Sequence, residues 1–187
     1  MSWEQLTMVE IMELCKDGYP YLICTDHLTS WFSRIIKNHT KGEYSHVLWL
    51  VNYNEAVSQD WIYRRVDFKK RYLKGKHRVK IWKINGEGHR NIIEWFIQNR
   101  LVSPVRRRLY DWLGIIGHFV GWKTLHMRTR MYCSESVGYA LHSVSSFDIK
   151  KPTPMQINQW CEEHQEEVTC IGVFEPIYGV WKEQKDG

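Results

Sequence analysis

The chain has 187 residues and a net charge of +5, a length that suits a single domain able to bury roughly 70% of its unfolded surface around one core. Its five cysteines, at 15, 24, 133, 161 and 170, form no CxxC pair and cannot all pair with one another, which excludes a disulfide framework and fits reduced thiols in a cytosolic setting. The opening Met1-Ser2-Trp3-Glu4-Gln5 lacks the basic stretch and apolar block of a secretory signal, and no apolar run approaches the roughly 18 residues needed to cross a bilayer, so a cytoplasmic location with no transmembrane segment is expected.

Residues 5–16 place Leu6, Val9, Ile11, Met12 and Leu14 at helical spacing and stop at Asp17-Gly18, where glycine can take the left-handed C-cap conformation. Residues 21–24 read as a short buried strand. Thr29-Ser30 supplies a cap for a helix through Trp31, Phe32, Ile35 and Ile36, and 38–42 is loop. Strands are expected at 46–51 and 55–59, joined by a turn at Asn52-Tyr53-Asn54. Asp67 caps a short helix to Leu73, and residues 78–84 alternate as a half-buried strand does. Residues 87–101 turn helical again. The apolar stretch 109–122, with Gly114, Gly117 and Gly121, reads as a wrapped loop or short helix able to cover a cleft. Helices at 134–141 and 154–164 and a strand at 169–174 complete an α+β domain with no repeat or low-complexity linker.

Chemistry concentrates in two segments. In Arg130-Met131-Tyr132-Cys133-Ser134-Glu135-Ser136-Val137 a loop runs into a helix with Cys133 in its first turn, where unpaired N–H groups and the helix dipole favour a thiolate. In Tyr44-Ser45-His46-Val47-Leu48-Trp49 a histidine stands at the entrance of a strand. A thiol needs a base, the base needs an orienting partner, and the oxyanion formed on attack needs donors. Cys133 is the candidate nucleophile, His46 the base, and the backbone N–H of Cys133 the first oxyanion donor. On the neighbouring strand Gln59 or Asp60 orients the imidazole, but alternation allows only one of the two to face it. His126 rivals His46 for nearness to the cysteine in sequence. Ser134 reads as a capping residue rather than a second nucleophile. With neither CxxC nor HExxH present, no metal or other cofactor is expected.

The order of these motifs, histidine at a strand start, a short second strand, then Tyr132-Cys133-Ser134-Glu135-Ser136-Val137 opening a helix, resembles the permuted papain-like amidases of the YiiX-like branch, in which circular permutation puts the histidine strand ahead of the cysteine helix. The resemblance covers most of residues 21–160. It implies a circularly permuted papain-like fold, an antiparallel sheet or small barrel packed against helices, with Cys133 as nucleophile and His46 as its base. The family's third polar residue, often a glutamate on the strand after the histidine strand, falls on Gln59, an amide that still orients the ring. Glu135 matches the family's acidic residue after the cysteine and is read as structural. Residues 87–126 stand apart from the resemblance as an insertion, a lid or docking surface. Similar sequences occur in bacteriophage genomes, which implies a host-cytoplasm or virion location and virion partners.

Three functions are therefore expected to compete. The first is a cysteine hydrolase that cleaves an amide in a peptide or peptidoglycan-like substrate through an acyl-enzyme. The second keeps the site but acts on a lipid amide or ester, as an acyl hydrolase or acyltransferase. The third is a phage structural or binding protein that retains the fold alone. The basic runs Arg64-Arg65, Lys69-Lys70-Arg71, Lys74-Gly75-Lys76-His77-Arg78 and Arg106-Arg107-Arg108 read as a solvated face or as a contact for an anionic surface; no nucleic-acid motif accompanies them, so no specific nucleic-acid partner is expected. The ten tryptophans are expected mainly in the core.

Overall fold

The computed structural model describes residues 15, 18–73, 76–120, 130–177 and 180–182. The helix expected at 5–16 lies outside these residues apart from Cys15, which is buried. Strand β1 (Tyr21–His27) runs past the expected 21–24 because its polar end is satisfied as it is buried. Thr25 Oγ1 donates to Arg78 O at 2.8 Å, and the buried Asp26 carboxylate accepts from Lys37 Nζ at 2.5 Å and Ser45 Oγ at 2.9 Å. Ser30 caps helix α1 (Trp31–Thr40), and its hydroxyl accepts from the Ser33 N–H. The helix ends at Lys41 in the left-handed region, so residues 38–40, expected as loop, are helical.

Strands β2 (His46–Leu50) and β3 (Glu55–Gln59) form a hairpin closed by Asn52. Its side-chain oxygen accepts from the N–H groups of Asn54 and Glu55, each at 2.9 Å. A strand that the sequence did not announce follows, β4 (Tyr63–Asp67). Its Tyr-Arg-Arg-Val-Asp composition hides the strand pattern because β4 is the sheet edge, where charged side chains discourage further pairing. Asp67 does accept from the Lys70 N–H at 2.8 Å, but the turn it opens, Lys69–Leu73, winds as one π-type turn.

Strand β5 (His77–Ile84) pairs with β1, and β6 (Val168–Ile177) pairs with β5. With β7 (Val180–Lys182) they complete an antiparallel sheet in the order β4-β3-β2-β1-β5-β6-β7. Alternation gives the sheet two apolar faces. Leu22, Cys24, Val47, Trp49, Val57 and Trp82 face helices α2 (Glu87–Val102), α5 (Cys133–His142) and α6 (Pro154–Glu163). Tyr21, Ile23, Leu48, Leu50, Ala56 and Ile81 face the other way, against Phe68, Tyr72 and Cys15. Two further helices, α3 (Val105–Arg108) and α4 (Trp112–Val120), follow α2. The fold class is α+β, as expected.

Helix α2, the first half of the segment 87–126, packs directly on the core. Ile93 and Ile97 are fully buried in the helix-side core and Phe96 stacks on Tyr139 of α5 at 5.4 Å, so this half is core wall. Helix α5 is seated by a close approach at Gly138: a Cβ there would stand 2.6 Å from Pro152 Cγ and 3.1 Å from Phe147 Cε1. Pro152 cannot retreat freely, because it leads into the capping box in which Thr153 and Gln156 satisfy each other's backbone N–H at the start of α6. Gly138→Ala is therefore expected to destabilise the fold by about 1–3 kcal/mol through overpacking, read as a lowered midpoint in thermal unfolding; an unchanged midpoint would show that α5 sits less tightly than described.

Candidate active site

The site forms where the first residue of α5 meets the first residue of β2. Both starting points are pinned. Ser45, one residue ahead of His46, donates its N–H to Thr25 O at 3.1 Å and its hydroxyl to Asp26. Ser134, one residue beyond Cys133, is buried and donates its hydroxyl to Pro152 O at 2.6 Å, which makes it an anchor and not a nucleophile. Cys133 is the first residue of α5, so its sulfur lies where the helix has no internal acceptors for its N–H groups.

Cys133 and His46 share a side-chain hydrogen bond. Burial works against a charged sulfur, but the charge of His46, its hydrogen bond, and backbone hydrogen bonds from Val47 and Ser134 together hold the thiol below its ordinary range. The imidazole moves the opposite way. Burial alone would lower it, yet the negative sulfur, the hydrogen bond to it and Asp60 raise it above the usual histidine value, with Arg71 opposing. The two shifts are reciprocal, each group favouring the charged form of the other.

On the far side of the ring the structure differs from the expectation. Gln59 does not reach His46: its amide Nε2 donates to Arg108 O at 2.9 Å and its Oε1 accepts from Arg100 Nη2 at 3.0 Å. Gln59 is thus a structural tie from β3 to α2 and α3, and Arg100 covers the Tyr63 ring at 5.0 Å. The reason is strand parity. Val57 packs in the helix-side core, Gln59 shares its face, and Ser58 therefore points to the opposite face, where the imidazole lies. The register Trp49↔Val57 and Leu50↔Ala56, run on to the strand ends, sets residue 46 opposite residue 60. His46 Nε2 lies 2.8 Å from Ser58 Oγ and 3.4 Å from Asp60 Oδ1, and Asp60 Oδ2 lies 2.7 Å from Arg71 Nη2. With Nε2 engaged there, Nδ1 is the ring nitrogen left for the sulfur. Val57 in the core was the sequence signal that could have placed Ser58 and Asp60 on the imidazole side.

Tyr110 was not anticipated from sequence. A backbone bond from its N–H to Trp61 O at 3.0 Å and a bridge to Met131 lay it across the site, and its hydroxyl hydrogen-bonds with Cys133. Burial and then the neighbouring sulfur push this phenol far above its ordinary value, so it stays a proton donor. Asp111 fixes the segment by accepting from the Gly114 N–H at 2.9 Å at the start of α4. Tyr110 borders two spaces. One is a narrow cleft of about 30 Å³ beside Cys133, lined also by Ile36 and Ile115; the other is a cavity of about 640 Å³ that reaches His46. The larger is walled by Trp31, Phe32, Trp61 and Trp112, a chain of T-shaped and tilted ring contacts with centroids 4.9–6.0 Å apart that reaches Tyr110 through Trp112. Trp31 and Trp61 are 71% and 70% exposed at its rim, against the expectation that tryptophan serves mainly the core.

Cys133 itself is 3% exposed. His77, which also lines the larger cavity, is lowered to about 4 by burial, then by the charges of His27, His46 and Arg71, and so is neutral near pH 7 and no rival as a charged partner. His126 lies outside the described residues. Among the described residues no group of three or more His, Cys, Asp or Glu is arranged to hold a metal ion, and no helix is long and apolar enough to cross a membrane.

The other cysteines provide an internal control. Burial raises Cys15 to about 12 and Cys170 to about 11, and pushes Cys24 and Cys161 up as well. At mildly acidic pH the thiolate fraction of Cys133 should therefore exceed that of the other cysteines, which burial pushes the opposite way. Peptide mapping after brief iodoacetamide treatment at that pH is expected to find Cys133 modified first, with that preference lost in His46→Ala. Equal labelling of Cys133 and Cys170 would contradict the ion pair.

Comparison with protein-family models, with curated proteins and with solved structures returned no match.

Proposed function

We propose that the chain is a cysteine hydrolase that cleaves an amide bond in a peptide or cell-wall-type substrate through a thioester on Cys133. The reciprocal displacement of Cys133 and His46, one lowered and one raised by the same hydrogen-bonded contact, carries this reading. Histidine ahead of cysteine in the chain, on a strand start and a helix start, supports the resemblance to the circularly permuted papain-like amidases. It does not by itself assign the substrate.

Chemically, Sγ of Cys133 attacks the carbonyl carbon, and the carbonyl π electrons move to oxygen, where the Cys133 backbone N–H is placed as a donor. As the tetrahedral species collapses, the imidazolium of His46 gives its proton to the departing nitrogen and the C–N bond breaks, leaving a thioester and a free amine. Water then gives a proton to the neutral imidazole and attacks the thioester. Collapse expels the thiolate, releases the carboxylic acid and restores the starting pair. Asp60 takes the acidic role that Gln59 cannot, since it faces the ring from 3.4 Å. An acidic group beside the ring supports a working site over a protein that only binds.

A second reading retains the chemistry but gives it an acyl amphiphile. The aromatic cavity favours it, because about 640 Å³ walled by four indole or phenyl rings suits an apolar group better than a charged peptide. A panel of chromogenic peptide amides and fatty-acyl esters or amides separates the two. Turnover of at least one class is expected, with a hydroxylamine-labile acyl mass on the Cys133 peptide and a loss of about 10³-fold or more in Cys133→Ala. Full turnover by Cys133→Ala on a substrate that the wild type cleaves would overturn the proposal.

A further inference from the structure

Ser58 is fully buried and its hydroxyl has three partners. It donates to Asp60 Oδ1 at 2.9 Å, it accepts from Tyr72 OH at 3.2 Å, and His46 Nε2 lies 2.8 Å from the same oxygen. A hydroxyl owns one proton. Here that proton is committed to the carboxylate, so Oγ can meet the ring only as an acceptor and Nε2 must carry the hydrogen between them. The tautomer follows: Nε2–H toward Ser58, with Nδ1 left to exchange a proton with the sulfur of Cys133.

Asp60 is poorly placed to do this alone. Its Oδ1 stands 3.4 Å from Nε2, beyond a strong charge-assisted hydrogen bond, and its Oδ2 is taken by Arg71 at 2.7 Å. The serine closes that gap with two shorter contacts in series, each polarising the other. We infer that Ser58 is a positioning residue of this site, a hydroxyl relay that fixes the orientation and tautomer of His46 and transmits to it the charge of Asp60. The inference rests on the Cys133–His46 reading and extends that pair to four members, Cys133, His46, Ser58 and Asp60.

The other groups facing the imidazole are accounted for. Cys133 approaches from α5 and Asp60 from the turn after β3, both favouring the charged ring; Arg71 in the π-type turn opposes it. Tyr72, in the same turn, donates to Ser58 and stays neutral. His77 in β5 is close enough to be lowered by the charge of His46 and is itself neutral near pH 7. Tyr110 meets the sulfur. Of these only Asp60 offers Nε2 an acceptor, and at 3.4 Å it stands farther away than Ser58 at 2.8 Å.

The test follows the rate of Cys133 carboxymethylation by iodoacetate against pH in the full chain. The reagent's carboxylate is drawn to the imidazolium, so the rate rises as the thiolate forms and falls as the imidazolium loses its proton. Ser58→Ala is expected to move the alkaline limb down by about one pH unit or more, because the charged ring loses its acceptor and its link to Asp60. Ser58→Thr, which keeps the hydroxyl, should leave that limb near the wild-type position, and Asp60→Asn should lower it. A purely structural serine would lower the unfolding midpoint and leave the limb in place, and that result overturns the relay. Should Ser58→Ala fail to fold, nitrogen NMR of His46 in Cys133→Ala, recorded above the pH at which the ring loses its charge, gives the answer directly: an Nε2–H tautomer supports the relay and an Nδ1–H tautomer refutes it. An acid limb in the ordinary thiol range in the wild type would instead sink the hydrolase reading itself.

Discussion

One contact organises this molecule: the sulfur at the first residue of α5 against the ring at the first residue of β2. A thiol buried to 3% exposure would ordinarily stay protonated, and every other cysteine with a shifted value here does so. Cys133 departs from them because it alone combines a histidine partner, a helix start and backbone N–H donors. The interaction is therefore local in its chemistry but global in its requirements, since each half is delivered by a different layer of the fold.

Those requirements explain much of the polar burial. Asp26 is out of solvent because it ties β1, α1 and Ser45 together, which sets where β2 begins. Ser134 and Gly138 seat α5 on the segment before α6 from two sides, one by a hydrogen bond and one by having no side chain. Gln59 locks β3 to α2 and α3 through Arg100 and the Arg108 carbonyl. Buried polar groups with complete partners fix an arrangement more sharply than apolar contacts of equal area. In this fold they converge on the two ends that must meet.

The sequence made the larger parts legible. The alternating run at β5, the helical spacing of α2 and the Pro-Thr-Pro start of α6 all appear near their expected places. Cys133 and His46 were also readable, because a thiol at a helix start and a histidine at a strand entrance each carry a physical reason for reactivity. What escaped depended on context that composition does not hold. Strand β4 reads as polar because it lies at the sheet edge, and α1 runs to Thr40 through a stretch of asparagine, histidine and threonine that local propensity assigns to loop. Of the two candidates for the third residue, Gln59 and Asp60, it is Asp60 that faces the ring. Gln59 was carried over from family resemblance, whereas the burial of Val57 turns Ser58 and not Gln59 toward the ring. Tyr110 reaches the sulfur only through long-range pairing of its segment with Trp61 and Met131, which no local pattern announces.

The central claim is that the resting protein stores a charged sulfur beside a charged ring. Ultraviolet difference absorbance between wild type and Cys133→Ser, followed through a pH titration, measures it most directly. The account predicts the absorbance of one thiolate at neutral pH, lost only well below the ordinary thiol value of about 8.5, and absent at neutral pH in His46→Ala. A thiolate that appears only at or above that value, with or without His46, would contradict it.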